Sequence, residues 1–161
     1  MKQLILVRHG KSSWDYPVED KDRPLKERGI ADAHRVASIL KSQQLQIDAA
    51  FASPANRALH TSMIFLRLLH FPMENFSVSN ALYDFSGEEV MNFVKEQDNT
   101  LNTILLFGHN NAFTNIANYW GNRTISNVPT AGLVQINFDV IQWNKAEKGI
   151  TTQTLFPKEF K

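Results

Sequence analysis

The stretch Leu4-Ile5-Leu6-Val7-Arg8-His9-Gly10 near the N-terminus decides how this chain folds and where its site lies. Leu4 to Val7 is a continuous apolar run, which is typical of a strand buried on both faces of a parallel sheet. Arg8, His9 and Gly10 follow it directly. In an open α/β sheet, sites lie in the crevice at the carboxyl ends of the strands. A cation beside an imidazole at that point predicts an anion site with a nucleophile or a proton carrier.

The rest of the chain alternates between strand-like and helix-like segments. Alternation of this kind predicts an α/β fold, a three-layer sandwich with a mainly parallel central sheet flanked by helices. At 161 residues the chain is expected to form one domain, 1–161. We predict strands at 3–7, 49–52, 76–78 and 103–107, helices at 26–43, 54–69, 87–97 and 112–120, and a terminal strand pair at 132–143 and 150–156.

Local signals set several of these boundaries. Ser53 and Pro54 have the residue types of an N-cap and a first helical position. Ser86 and Glu89 have the spacing of a capping box. Gly29 disfavours the first turn of the helix at 26–43 by about 1 kcal/mol relative to Ala.

Composition excludes several classes of protein. With 43% hydrophobic residues, 20% charged residues and a net charge of +1, the chain resembles an ordinary globular protein, and no run of basic residues points to a nucleic-acid partner. No apolar stretch is long enough for a membrane span or a signal-peptide core, so we expect a cytoplasmic protein without a membrane partner. The oligomeric state stays open.

Metal and thiol chemistry are also disfavoured. The chain contains no cysteine, which excludes disulfides, thiolate ligands and a cysteine nucleophile. His34, His60 and His70 lie on or at the ends of predicted helices, where a solvated or half-buried histidine is the simplest interpretation. No His-Glu-x-x-His or similar ligand spacing occurs, so we expect no metal site.

Three predicted strand ends carry the same kind of chemistry. Arg8 and His9 follow the first strand, Arg57 follows the second in the first turn of a helix, and His109 follows the strand at 103–107. Arg8 alone would be interpreted as a solvated charge and His109 alone as a helix cap, whereas Arg57 is mildly unfavourable against the helix dipole and is a modest functional signal. Parallel strands end at the same edge of a sheet, so together these residues predict one pocket. Two guanidinium groups attract an oxyanion and bind phosphate bidentately. A neutral imidazole is a competent nucleophile towards phosphorus.

These residues resemble the histidine phosphatase superfamily, which has the phosphoglycerate-mutase-like fold. Leu6 to Gly10 is similar to its Arg-His-Gly signature. Further stretches resemble its SixA-type phosphohistidine phosphatase branch: 22–29, 53–58, 108–110 and a turn at 129–132. The resemblance extends in order over residues 4–132.

The resemblance implies a role for each matching residue. His9 would attack the substrate phosphorus in line and become transiently phosphorylated, and water would then hydrolyse the phosphohistidine. Arg8, Arg57 and His109 would clamp the phosphoryl oxygens. Gly10 would let the backbone pass closely beneath the imidazole, and Arg23 would add a cation at the pocket rim. The family reaction uses no metal and no organic cofactor.

Many members of the superfamily also have a carboxylic general acid after the third strand. The candidates here are Asp84, Glu88 and Glu89. Glu89 belongs to the predicted capping box and Glu88 is favoured by the helix dipole in any case. Asp84 is preferred because it follows the strand-like segment 81–83. A phosphohistidine substrate needs this acid less, since its imidazole leaving group can depart already protonated.

The expected substrate is therefore a phosphorylated protein, first of all a phosphohistidine protein, or a small phosphorylated compound. The chain has little sequence with which to cover the pocket, and its rim material is the loops at 11–25 and 79–86. An open pocket suits a side chain on a protein surface. Three alternatives remain: a phosphatase of a small metabolite, a mutase, which must exclude water, and a phosphate-recognising module with little turnover.

Overall fold

The computed structural model describes residues 1–161 and consists of one sheet with helices on both faces. Its strands are β1 (Lys2–Arg8), β2 (Ala49–Ala52), β3 (Phe76–Val78), β4 (Thr103–Gly108), β5 (Leu133–Phe138) and β6 (Ile150–Leu155). Its helices are α1 (Glu27–Ser42), α2 (Asn56–Leu68), α3 (Glu88–Lys95) and α4 (Ala112–Trp120). Short 3-10 turns cover Asp20–Asp22, Met73–Asn75, Asn80–Leu82, Trp143–Lys145 and Pro157–Phe160.

The strand order is β3-β2-β4-β1-β5-β6. The first four strands of that order are parallel, and β5 and β6 form an antiparallel pair at one side. The predicted α/β sandwich with a mainly parallel sheet is therefore confirmed. None of the helices has the length and apolar character needed to cross a membrane.

The core lies on both faces of β1 and β4, as the apolar runs predict. Leu4 and Leu6 face the layer of α3 and α4, with Trp120 at its centre. Ile5 and Val7 face the layer of α1 and α2. Because side chains alternate along a strand, an unbroken apolar run fills both layers at once.

The register of the sheet aligns the strand ends that carry the basic residues. Arg8 pairs with Gly108, and the backbone N–H groups of His9 and Ser53 donate to Gly108 and Phe107 of β4, each at 3.0 Å. The segments that leave β1, β2 and β4 therefore start side by side at one edge of the sheet.

Gly29 lies in the first turn of α1, which begins at Glu27 in spite of the glycine. A Cβ on Gly29 would lie 2.7 Å from the backbone nitrogen of Lys11 and would overlap its carbonyl oxygen. A Cβ on Gly10 would lie 2.7 Å from the carbonyl oxygen of Gly29. The two glycines let α1 pack directly on the backbone that leaves β1.

Four local predictions are wrong. Helix α2 begins at Asn56, so neither Ser53 nor Pro54 starts it. Helix α3 has Gly87 as its N-cap and no Ser86–Glu89 capping box. The segment Asn80–Leu82 is a 3-10 turn and not strand-like. Ser53 instead contacts His109, Asp84 accepts from the backbone at the start of α3, and Ser79 caps the 3-10 turn by accepting from the backbone N–H of Ala81 at 3.2 Å.

The fourth difference is the length of β5, which ends at Phe138 and not near residue 143. Trp143 is fully buried, and its indole N–H donates to the carbonyl oxygen of Leu101 at 2.8 Å. The apolar residue at position 143 fits the alternation expected for a strand, but it is buried because it packs in a 3-10 turn after β5.

Candidate active site

His9 follows β1 directly and is 7% exposed. Its Nδ1 lies 2.7 Å from the carbonyl oxygen of Gly10. Since a carbonyl only accepts hydrogen bonds, Nδ1 carries the ring hydrogen and Nε2 carries the lone pair. The Nε–H of Arg57 donates a hydrogen bond to that lone pair at 3.3 Å. The ring is thus fixed with Nε2 beside a guanidinium group.

Burial is the main reason that the pKa of His9 is lowered to about 3. The nearby His109, Arg57 and Arg8 act in the same direction, and the hydrogen bond to Gly10 opposes them. The imidazole is therefore neutral at neutral pH, as a nitrogen nucleophile must be.

Arg57, the second residue of α2, is 2% exposed and is held on two sides. Its Nε faces His9, while Nη1 and Nη2 donate to Asp20, to the backbone oxygen at 2.6 Å and to the carboxylate at 2.9 Å. A guanidinium group has five N–H donors, so two of them remain for an anion.

Asp20 is the main site residue that the sequence analysis missed. Its carboxylate also accepts hydrogen bonds from the Tyr83 hydroxyl at 2.6 Å and from Arg23 at 3.2 Å. Partial burial raises the pKa of Asp20, but the hydrogen bonds from Tyr83 and Arg57 outweigh it and hold the pKa well below its ordinary value. The carboxylate is therefore ionised inside a largely cationic pocket.

Arg8 contributes a cation from the end of β1. Its Nη1 donates to the carbonyl oxygen of Val128 at 2.9 Å, and its Nε is buried without a partner. Burial lowers the pKa of Arg8, but an arginine keeps its charge in proteins. A buried N–H without a partner is uncommon, and an oxyanion would supply the missing acceptor.

His109 comes directly after β4 and is fully buried. Its ring centroid lies 5.3 Å from that of His9, and Phe85 and Tyr83 pack against it at 4.9 and 5.4 Å. Burial, assisted by the charge of Arg57, lowers the pKa of His109 to about 3. His109 adjoins His9 but does not itself line the cavity.

Ser53 orients the His109 ring. Its Oγ lies 2.8 Å from His109 Nε2 and accepts a hydrogen bond from the backbone N–H of Ala55. His109 Nδ1 is buried without a partner. The residue expected to cap α2 is thus used to hold the second histidine, across 56 positions of sequence.

Arg23 lies in the pocket wall and is 7% exposed, more deeply placed than a rim residue. Its Nε donates to the backbone oxygen of Ser13 and its Nη2 to the hydroxyl of Ser12, at 3.1 and 2.5 Å. Its guanidinium carbon lies 3.2 Å from the ring centroid of Trp14. These contacts hold the loop at 11–25 against the pocket.

Gly10 connects the His9 segment to two helices. Its backbone N–H donates to the hydroxyl of Thr61 on α2 at 3.0 Å, and its Cα packs against Gly29 of α1. Its carbonyl oxygen is free to accept from His9. The absence of a side chain at Gly10 is what allows this close packing against α1.

Asp84, the preferred general acid, has a different environment. One carboxylate oxygen accepts hydrogen bonds from the backbone N–H groups of Gly87 and Val90 at the start of α3, and the other accepts from Ser86. Although burial raises the pKa of Asp84, these hydrogen bonds lower it overall. Asp84 does not line the pocket. This geometry favours a capping role over proton donation.

The pocket has a volume of about 290 Å³. Four cations, one carboxylate and one imidazole give it the character of an oxyanion site. No group of three or more His, Asp or Glu side chains is placed to bind a metal ion. The lining residues are Arg8, His9, Lys11, Ser12, Trp14, Asp20, Arg23, Arg57, Phe85, Asn110 and Thr130.

Known structures share this fold. The protein histidine phosphatase SixA complexed with tungstate is similar with a TM-score of 0.79 and 21% identity, covering 99% of this chain and 99% of that one. A SixA from Agrobacterium tumefaciens has a TM-score of 0.78 and 21% identity, covering 96% and 97% of the two chains.

Curated relatives match by sequence over shorter lengths. An uncharacterized chloroplastic protein of Arabidopsis thaliana is 29% identical over 137 residues, which is 77% of this chain and 61% of that protein. A 2,3-bisphosphoglycerate-dependent phosphoglycerate mutase of Methylorubrum extorquens is 42% identical over 66 residues, 39% of this chain and 31% of the mutase. The chain therefore spans less than two thirds of either relative.

The sequence profile of the histidine phosphatase superfamily (branch 1) matches residues 4–85, half of the chain, and this range contains His9 and Arg57. The chain belongs to the histidine phosphatase superfamily.

Proposed function

We propose that this protein is a phosphatase that acts through a covalent phosphohistidine on His9 and that its substrate is a phosphohistidine protein. The observation that carries the proposal is the state of His9. Its ring is neutral, its Nδ1–H is held by the carbonyl of Gly10, and its Nε2 lone pair adjoins Arg57 in an arginine-rich pocket.

In the first step the Nε2 lone pair forms a bond to phosphorus, and the bond to the leaving group breaks with its electron pair going to that group. The phosphorylated ring keeps its Nδ1–H and becomes cationic, a charge that the Gly10 carbonyl stabilises. Arg8 and Arg57 balance the charge on the phosphoryl oxygens, and His109 is proposed to assist them. Water then attacks phosphorus, neutral His9 is released, and the proton lost by water passes to phosphate or solvent.

The choice of a phosphohistidine substrate rests on the acid groups near the pocket. Asp20 supplies the one carboxyl group in the lining, and hydrogen bonds hold it ionised. Asp84 is engaged at the start of α3, and Glu88 and Glu89 are exposed outside the lining. An imidazolium-type leaving group carries its own proton and needs no such acid, whereas an alkoxide does.

One comparison and one feature of the pocket support the proposal. SixA is named as a protein histidine phosphatase and binds tungstate, an oxyanion, on the same fold. The pocket of about 290 Å³ is open enough to take a side chain presented by another protein.

Rapid-quench labelling with ³²P-phosphoramidate, a small P–N donor, tests the chemistry. Label stable to alkali and labile to acid is expected on wild type and absent from His9→Ala. The exposed His60 provides the matched control, since His60→Ala should label as wild type does. Label that persists in His9→Ala would exclude this mechanism.

Product analysis with the same purified protein distinguishes the alternative functions. Release of inorganic phosphate from a phosphohistidine protein supports the proposal, while release only from small phosphoesters identifies a metabolite phosphatase. An isomeric phosphoester as product identifies a mutase. Tight binding of a phosphoprotein without labelling of His9 identifies a recognition module.

A further inference from the structure

Two aromatic side chains line the pocket together with the cations. Trp14 is 74% exposed and Phe85 is 44% exposed. Single exposed aromatic rings are common on protein surfaces, but two in the lining of one charged pocket offer an apolar face that phosphate alone would not use. A ligand with an apolar face next to its phosphoryl group would use both the cations and the rings.

The position of His9 indicates where the apolar face of the ligand would lie in the pocket. His9 is 7% exposed, so its Nε2 approaches phosphorus from the inner end of the pocket. In-line displacement puts the leaving group opposite the nucleophile, which is towards solvent. The leaving group therefore passes the exposed lining residues, Trp14 and Phe85.

Both rings are held in place before a ligand arrives. The Arg23 guanidinium covers one face of the Trp14 indole at 3.2 Å, and Arg23 is itself bound by Ser12, Ser13 and Asp20. The exposure of Trp14 leaves the other face open. Phe85 packs edge-on against Tyr83 at 5.1 Å between ring centroids. Rings fixed in this way lose little entropy when a third ring stacks on them.

We propose that Trp14, assisted by Phe85, selects substrates in which a planar ring is bonded directly to the phosphoryl group, by contacting that ring as the leaving group. This inference rests on the proposed phosphatase function and adds a specificity determinant to it. The shared chemistry is a flat, weakly polar ring, joined to phosphorus through nitrogen as in phosphohistidine or through oxygen as in an aryl phosphate.

A pair of donors with the same bond tests it. Phosphoimidazole and phosphoramidate both carry a P–N bond, but only the first has a ring. Wild type is expected to show a higher kcat/KM for phosphoimidazole, and Trp14→Ala to reduce the ratio of the two values about tenfold, as expected for loss of one aromatic stack. Trp14→Phe should restore most of the ratio, and Phe85→Ala should lower it less.

The ratio of the two kcat/KM values is insensitive to effects of a substitution on phosphoryl binding, which both donors share. Removing the indole also frees Arg23, but that changes the binding of both phosphoryl groups alike. Tyr16 is the matched control, because it is an exposed aromatic residue of the same loop that does not line the pocket, so Tyr16→Ala should leave the ratio unchanged. Phenyl phosphate in a third arm shows whether the selected ring is linked through oxygen as well as nitrogen.

An unchanged ratio in both Trp14→Ala and Phe85→Ala, with His9 still labelled, overturns the selection of a ring and leaves the phosphatase standing. Absence of label on wild-type His9 from every donor overturns the phosphatase function itself.

Discussion

Asp20 binds Arg57 through both its carboxylate, at 2.9 Å, and its backbone carbonyl, at 2.6 Å. This double contact fixes the plane of the guanidinium group and directs its Nε–H at His9. A carboxylate also repels the anion that the pocket is proposed to bind. We therefore predict that Asp20 acts as a positioning residue for the proposed reaction, with an effect on the reaction step and not on substrate binding.

Asp20→Asn is expected to lower kcat roughly tenfold, because the negative charge and one of the two acceptor oxygens that hold Arg57 and Arg23 are lost. KM for phosphoramidate should stay the same or fall, since a negative charge leaves the pocket. Steady-state kinetics of phosphate release measures both values. Tyr83→Phe, which removes only the hydroxyl bound to Asp20, should give a smaller loss in kcat. A rise in KM with unchanged kcat would show that Asp20 serves substrate binding instead.

Asp84→Asn is expected to destabilise the protein by about 1–2 kcal/mol, because an amide cannot accept at both positions and the start of α3 loses hydrogen-bond acceptors. Urea unfolding measures this change. Phosphorylation of His9 by phenyl phosphate, whose oxygen leaving group gains from a general acid, should stay within about threefold of wild type. A general acid contributes roughly 10²–10⁴-fold, so a hundredfold loss of rate in a stable variant would restore the acid role to Asp84.

Gly29→Ala tests the contact between α1 and the segment after β1. Helix propensity alone favours alanine by about 1 kcal/mol. The added Cβ would overlap the Lys11 backbone, so we expect a net loss of about 1–3 kcal/mol in the free energy of unfolding, as for an overpacked core. The exposed Ser38 of α1 is the control, and Ser38→Ala should change stability by less than about 0.5 kcal/mol. A stabilised Gly29→Ala would refute the contact.

The convergence of the four basic residues could be predicted from sequence for a simple physical reason. Arg8 and His9, Arg57, and His109 each follow a strand of a parallel sheet, and the pairing of Arg8 with Gly108 puts these ends side by side. Apolar runs identify the strands, and the parallel arrangement of those strands places their carboxyl ends at one edge of the sheet. No side-chain detail was needed.

Asp20 could not be found in the same way. It is one of several acidic residues in the loop at 11–25, along with Asp15, Glu19 and Asp22, and no periodicity separates them. Ser53 and Asp84 failed for a related reason. Their residue types predict a local cap and an acid, but long-range packing assigns Ser53 to His109, while Asp84 is engaged by the backbone N–H groups of Ser86, Gly87 and Val90 at the start of α3. Hydrogen-bond partners distant in sequence are decided by the tertiary fold.

The two buried histidines make stability depend on pH. In the folded chain the pKa of each is lowered to about 3, chiefly by burial, whereas an unfolded histidine titrates near 6.5. Between these values the unfolded state binds protons that the folded state does not. The free energy of unfolding therefore falls as the pH is lowered below about 6.5, by up to about 1.4 kcal/mol per pH unit for each histidine.

Urea unfolding between pH 7 and 5 measures this slope, because aspartate carboxyls in the unfolded chain, with an ordinary pKa of about 3.9, are still almost fully ionised there. His109→Gln should reduce the slope by up to about 1.4 kcal/mol per pH unit, while the exposed His60→Gln should leave it unchanged. Over the same range, labelling of wild-type His9 should not decline with a midpoint near 6.5, because the folded ring keeps its lone pair. A slope that His109→Gln leaves intact, or a loss of labelling near pH 6.5 in folded protein, would mean that these rings are protonated and that the pocket is more hydrated than its packing indicates.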